Sequence, residues 1–551
     1  MKTVIVGGVA GGMSAATRLR RLDPHAEIVV LERSGHVSYA NCGLPYHLGG
    51  VIEDRATLLL QTPESLRARF GLDVRTRHEV VAIDPAAHTV TVVDLDAGEE
   101  RTESYDHLVL SPGAAPFVPP VPGAARAHTL RNVEDLDHLV AAAGPDTRRA
   151  VVAGGGFIGL ETAENLHRIG IDVTLVELAD QVLAPLDAEM AALVHDELAR
   201  NGIDLRLGAG VAEVHPDRVG LSDGTEVAAD LVVFAIGVRP ETSLARLAGL
   251  EVGPRGGIVV DDDLRTSAPG VYAVGDAVEK ADPLDGGAAL VPLANVANRQ
   301  GRRVADVIAG RPGRARGAQS TAILSVFDLT VACTGWSERR ATASGRAVAA
   351  IHTHPASHAG YYPGADAMAL KLVVDRGTGA ILGAQGVGRS GVDKRIDVIA
   401  TAMAGGVDAA ALADLELAYA PAYGSAKDPV NQLGYVAEGR LDGTAPAIGW
   451  DELGDTLTAG ASLVDVRTAV EHDDGHIPGS INVPVDELRH RLDEIPPGPL
   501  VVYCAGGQRA HTAATYLAGI GRDVVNLDGG WATWRTSPAC RHAADRPVAT
   551  T

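Results

Sequence analysis

The chain has 551 residues, 46% hydrophobic and 21% charged, a length for several domains and a composition of packed globular ones, which excludes both a single small module and a disordered chain. Acidic residues outnumber basic ones 70 to 48, and the formal net charge of −22 argues against general affinity for nucleic acid or anionic membranes. Four cysteines, at 42, 333, 504 and 540, form neither a disulfide framework nor a metal-ligand spacing and read as cytosolic thiols. With no run near the ~18 apolar residues that span a bilayer, the expected location is the cytoplasm and no membrane or metal is expected.

The first predicted elements are a short buried strand at 3–6, a Gly-rich turn, a helix from Met13 to Leu22, and a second strand closing on Glu32. The same order returns over 150–177, where strand, Gly-rich turn and helix lead to a strand closing on Glu177. A strand feeding a glycine turn and a helix whose free N–H groups face a pyrophosphate is how βαβ units hold dinucleotides, and an acid ending the second strand suits ribose hydroxyls. In the later copy Gly154, Gly156 and Gly159 match G-x-G-x-x-G in full, with Gly155, Phe157 and Ile158 between them and Glu177 eighteen residues beyond Gly159. In the earlier copy Gly7 and Gly12 keep their places, Val9 replaces the middle glycine, Gly8, Ala10 and Gly11 complete the turn, and Glu32 lies twenty residues beyond Gly12. One such loop reads as a tight turn; two, each between strands and each followed by a spaced acid, predict two dinucleotide sites. A carboxylate at 177 accepts from a ribose 2′-OH and repels a 2′-phosphate, and no Arg follows in LADQVL, so NADH is expected over NADPH.

Further along, LVLSPGAAP (108–116, with Gly113) and VFAIGVRPE (233–241, with Gly237) resemble segments through which a flavin domain is interrupted by a nicotinamide domain. APGVYAVGDA (268–277) resembles the second flavin motif of two-dinucleotide flavoproteins, which would set Asp276, next to Gly275, at the ribityl chain. Residues 1 to about 440 thus resemble the pyridine nucleotide-disulfide oxidoreductase family, and SYANCGLPY with AYAPAYGSAKDPVN narrows the resemblance to the coenzyme A-disulfide reductase branch. The resemblance implies an α/β chain with two Rossmann-like dinucleotide-binding domains: FAD at 1–112 and 242–320, NADH at 113–241. An α+β dimerisation domain would follow at 321–437, and the protein would be a homodimer. It also adds Arg33, Asn41 and Ala294 to the cofactor contacts.

Two-cysteine relatives carry CxxxxC beside the flavin, whereas here Cys42 is followed five positions later by His47, so the chemistry falls to one thiol held as a mixed disulfide, persulfide or sulfenic acid. Its thiolate needs positive potential, a helix N-terminus or hydrogen-bond donors. The resemblance implies donors in Tyr361 and Tyr419, reaching Cys42 from the partner subunit and able to protonate a leaving thiolate. Ser14, Arg18 and Arg21 share one helix face, and the resemblance gives them, with Ser38, Asn41, Asn298 and Lys427, to coenzyme A, as a bound ligand or substrate.

EGRLDGTAPA (438–447) reads as a linker. Residues 448–545 resemble a rhodanese domain, in which Cys504 closes an apolar strand and precedes AGGQRA and a helix. Loop N–H groups, the helix dipole and Arg509 would stabilise a thiolate or anion there, and Cys504 would carry sulfane sulfur as a persulfide. Cys333 and Cys540 receive no role. The expected activity is NADH-dependent reduction of CoA disulfide, CoA or low-molecular persulfides, or polysulfide, with the fusion raising the local concentration of one product at the next site. An NADH oxidase or peroxidase cycling through a sulfenic acid, and a redox-gated flavoprotein sensor, are the alternatives.

Overall fold

The computed structural model describes residues 1–313 and 315–540, so 541–545 of the expected rhodanese span lie outside the described residues. It divides into two compact units, Met1–Asp180 with Ile203–Ser320, and Gln181–Gly202 with the chain from Thr321 onward.

The first unit is built on two parallel sheets. Its elements in chain order are β1 (Lys2–Val6), α1 (Ala10–Leu22), β2 (Glu27–Leu31), α2 (Leu44–Leu48), β3 (Asp73–Arg75), β4 (His107–Leu110), β5 (Arg149–Ala153), α3 (Phe157–Arg168), β6 (Asp172–Glu177), β7 (Asp204–Leu207), β8 (Leu231–Phe234), β9 (Val271–Ala273) and α4 (Ala294–Ile308). One sheet runs β9-β4-β1-β2-β3 and the other β7-β6-β5-β8. Register is in step across each βαβ pair, Val4 opposite Val29 and Val151 opposite Thr174. The strands are short aliphatic runs buried on both faces, as parallel strands covered by helices must be. α1 packs on α4 so closely that a Cβ on Gly301 would sit 2.1 Å from the Gly11 carbonyl oxygen.

α1 begins at Ala10, three residues before the expected Met13. Gly11 and Gly12 are buried helical residues; the absence of a side chain lets the first turn press against the strand end, which a reading of glycine as turn overlooks.

The second unit carries an antiparallel sheet of β10 (Ala322–Val326), β11 (Leu329–Gly335), β12 (Val348–Thr353), β13 (Met368–Asp375) and β14 (Ile381–Gly388), in the order β10-β11-β14-β13-β12. Ile396 and Ile399 of α5 (Val392–Gly405) and Val430 and Leu433 of α6 (Pro429–Asp442) bury against its Leu370 and Leu372. The helix Ala188–Arg200 belongs to the same unit. A parallel sheet, β15-β19-β18-β16-β17, closes the chain. Its elements are β15 (Ala447–Ile448), β16 (Ser462–Asp465), α7 (Ala469–Asp473), β17 (Ile481–Asn482), β18 (Leu500–Tyr503), α8 (Gln508–Gly519), β19 (Val524–Leu527) and α9 (Gly530–Trp534).

The segment expected as a linker is ordered at both ends. Residues 438–442 continue α6 until Gly443 takes a left-handed φ of 79°, and Ala447 and Ile448 join the last sheet beside Asn526 and Leu527. Among the described residues no helix is long and apolar enough to cross a membrane.

Candidate active site

The two glycine loops of the first unit are built alike. Gly7 and Gly154 hold φ of 99° and 110°, closed to residues with a side chain, and a Cβ on Gly12 or Gly159 would meet the Gly7 or Gly154 carbonyl oxygen at 1.9 or 1.8 Å. Both acids reach back to the loop ahead of them. Glu32 Oε2 accepts from Gly8 N–H at 2.7 Å, and Glu177 Oε2 accepts from Gly155 N–H at 2.6 Å. Val9, where the middle glycine is missing, is the N-cap of α1 and supplies no side-chain cap, so the helix keeps its first N–H groups open. Phe157 is half-buried and Ile158 exposed at the second loop.

The expected crossing segments run side by side as an antiparallel pair, Ala115 opposite Arg239, just after Gly113 and Gly237, both with positive φ. Arg33 is exposed, 3.5 Å from Glu241. Ala294 opens α4, whose Gln300 accepts from Gly275 N–H at 2.9 Å. Asp276 Oδ1 is buried and has no hydrogen-bond partner among the described residues. Burial raises its carboxyl pKa, opposed by Lys280 and Arg131. An orphaned acceptor beside a side-chain-free glycine cradle fits the ribityl hydroxyls of FAD, so the residues present suit that cofactor.

Cys42 lies in the turn Asn41–Gly43 that feeds α2, with Pro45 in the first helical turn. The residue as a whole is exposed although its sulfur is partly shielded from water, and Asn41 Oδ1 stands 3.9 Å from Sγ. Gly49 permits α2 to touch α3, since a Cβ there would lie 2.0 Å from Asn165 Oδ1. That approach lets Tyr46, four residues after Cys42, donate to Glu161 at 3.0 Å. Burial raises the Cys42 pKa first, then the charges of Glu161 and Asp276. Within this unit the thiol therefore meets negative rather than positive potential, contrary to the expected field. Glu161 itself is pushed up by burial against the Tyr46 hydrogen bond, with Glu164 adding to the rise. Sequence reasoning missed Tyr46 and Glu161; their one signal was position, four residues past the cysteine and two past Gly159.

Of the positions assigned to coenzyme A, Ser14 and Asn298 meet directly, Oγ donating to Oδ1 at 2.6 Å. Arg18 is held by Asp306 through Nε and Nη2 at 2.9 and 2.7 Å, while Arg21 is exposed. Ser38 adopts a left-handed φ of 48° and donates its N–H to the Gly8 carbonyl at 2.8 Å, tying the cysteine segment to the first glycine loop. Lys427 is exposed in the second unit. In that unit the hydroxyls of Tyr361 and Tyr419 lie 3.1 Å apart on the surface, the two residues being 77% and 48% exposed.

Cys504 is buried at the end of β18, and its sulfur accepts from Gly507 N–H at 3.2 Å. Gly507, with φ of 103°, is the N-cap of α8, so the loop turns this amide onto the sulfur at the start of the helix. Arg509 forms a two-pronged pair with Glu471 at 2.6 and 2.7 Å, which holds Glu471 down to about 2. Glu471 also closes the capping box of α7 with Thr468, so one carboxylate fixes both helix start and guanidinium. Cys333 is buried in β11, its pKa pushed up to about 11 by burial; Cys540 packs in a cluster with Trp531 and Trp534.

Residues 1–301 match the pyridine nucleotide-disulphide oxidoreductase family, 321–429 the dimerisation domain of that family, and 450–537 a rhodanese-like domain. The coenzyme A disulfide reductase of Staphylococcus haemolyticus is 35% identical over 445 residues, 79% of this chain and 99% of that protein. The crystal structure of reduced CoADR-RHD from Bacillus anthracis superposes with a TM-score of 0.96 at 46% identity, covering 97% of this chain and 98% of that one. A NAD-dependent persulfide reductase from A. fulgidus gives 0.91 at 37% identity, covering 97% and 100%.

Proposed function

The chain belongs to the pyridine nucleotide-disulphide oxidoreductase family, and from that premise we propose that it uses NADH and FAD to reduce S–S bonds of CoA disulfide, CoA or low-molecular persulfides, or polysulfide through Cys42, while Cys504 carries sulfane sulfur. The observation that carries this reading is that Cys42 is the only cysteine of the first unit and is exposed, so no second thiol of that unit can resolve what it binds. Relatives named for CoA disulfide and for persulfide reduction, the latter matched along 97% of this chain, support the substrate class.

Gly7, Gly11, Gly12, Glu32 and Asp276 would hold FAD, which when bound relays two electrons from NADH to sulfur. The Cys42 thiolate attacks RS–SR, the S–S bond breaks, and one RS⁻ departs to be protonated. Cys42 is left as Cys42–S–SR. Two electrons and one proton then return Cys42 to the thiolate and release RSH. The balance is RS–SR, NADH and H⁺ to two RSH and NAD⁺; with RS–SH the products are RSH and H₂S. Glu177, with no Arg in the LADQVL that follows it, supports NADH as donor; the dimerisation-domain match and the exposed Tyr361–Tyr419 pair support a homodimer in which these hydroxyls serve the partner's thiol. The rhodanese-like domain favours sulfur chemistry over an oxidase or a sensor. The test is Cys42→Ser, which should abolish NADH-dependent release of thiol or sulfide from a panel of these substrates with FAD still bound; full turnover in the variant overturns the reading.

A further inference from the structure

Buried charge in the second unit gathers at the end of β12, outside both cysteine sites. Lys371 Nζ lies 2.9 Å from Asp187 and 2.7 Å from Glu338 and also meets Glu189, so this carboxylate cluster is already filled by an ammonium. Glu189 accepts in turn from His352 Nε2 at 3.0 Å, and His352 offers Nδ1 and, at 3.1 Å, its backbone N–H to the Asp528 carboxylate.

Asp528 opens the segment that cradles the Cys504 loop. Two residues on, a Cβ at Gly530 would come 2.3 Å from the Cys504 carbonyl oxygen; Trp531 N–H donates to that oxygen at 2.8 Å and Ala532 N–H to Ala505 at 2.9 Å. The far end of the segment is tied as well, since Thr533 Oγ1 bonds His354 Nε2 at 2.8 Å. His354 also touches the loop itself, its Cβ lying 3.2 Å from where a Cβ on Gly506 would be. Both ends of the cradle are thus fastened to two histidines on one stretch of chain in the part matched as the dimerisation domain.

We propose that His352 and His354 are positioning residues for the Cys504 loop, so that the sulfane-sulfur site of the rhodanese-like domain is completed by the domain before it. The inference rests on the reading of Cys504 as a sulfur carrier. Its physical basis is that the Gly507 N–H must stay within hydrogen-bond range of the sulfur, and a shift of ~1 Å in such a site costs on the order of 10²-fold in rate.

The test uses the full-length, FAD-loaded chain and measures thiosulfate-to-cyanide sulfur transfer, NADH-dependent disulfide reduction and the iodoacetamide labelling rate of Cys504. His354→Ala should lower the sulfurtransferase kcat at least tenfold with KM within twofold, change Cys504 labelling severalfold, and leave NADH turnover within twofold. His354→Gln, whose amide reaches Thr533, should restore at least half of the lost kcat. His352→Gln should act in the same direction as His354→Ala. Sulfur transfer and labelling at wild-type levels in both His354→Ala and His352→Gln overturn the proposal, as does a loss in His354→Ala that His354→Gln leaves unrelieved. A wild-type chain without sulfur transfer defeats the assigned activity instead, and the labelling rates then still decide the positioning.

Discussion

Cys42 sits where its own unit resists the thiolate that disulfide chemistry needs, because burial, Glu161 and Asp276 all favour the neutral thiol. Glu161→Gln should remove one of these and lower the pH midpoint of Cys42 alkylation, raising the labelling rate severalfold at neutral pH, since one pKa unit is a tenfold change in thiolate. A midpoint that stays or rises contradicts the electrostatic account. Tyr46→Phe should move it in the same direction, because its hydrogen bond opposes the rise of the Glu161 carboxyl. Cys42 could be singled out in the sequence because a motif surrounds it. Glu161 and Tyr46 were not, because what joins them is a helix contact made possible by Gly49, and one sequence holds no record of which helices touch.

At the level of elements, the duplicated strand-turn-helix was the most readable feature, for glycines at fixed spacing leave a trace that burial patterns do not. The α1 boundary shows the limit: Gly11 and Gly12 lie in the helix itself, and Gly12 lets that helix close on Gly7 of the turn. Gly12→Ala would force a Cβ to 1.9 Å from the Gly7 carbonyl oxygen, and the overpacking cost of ~1–3 kcal/mol should appear as weakened FAD retention through gel filtration. Full FAD content would contradict the geometry. The stretch bearing His352 and His354 titrates at both ends of the pH range. Burial opposes the charge on His352, yet Asp528 and Glu189 raise it to about 9; burial, then the His352 charge, lowers His354 to about 4. A raised histidine stabilises below its unfolded value of roughly 6.5 and loses that stability as pH rises through 9. A depressed one loses stability as pH falls below roughly 6.5 toward 4. Urea unfolding of the chain should therefore show a stability maximum near neutral pH, with Glu189, Lys371, Asp528 and Arg440 the charges around His352. His352→Gln should flatten the alkaline limb; an unchanged limb contradicts the assignment.

Across the whole molecule, the order of domains could be read from motifs, while their coupling could not. His352 and His354 carry no motif, and the expected linker held a helix end and a sheet strand. Cys504→Ser should remove sulfur transfer while leaving NADH-dependent disulfide reduction within twofold, and Cys42→Ser should do the reverse; joint loss in both variants would mean that the two cysteines act as one site. The central claim is that a single thiol on the nucleotide-binding unit takes the substrate covalently. It is tested most directly by mixing the NADH-reduced Cys504→Ser protein with CoA disulfide, quenching in acid within one turnover, and measuring peptide masses. The account predicts one CoA in disulfide linkage to Cys42 per subunit; a disulfide joining Cys42 to another protein cysteine, or turnover with Cys42 never modified, would contradict it.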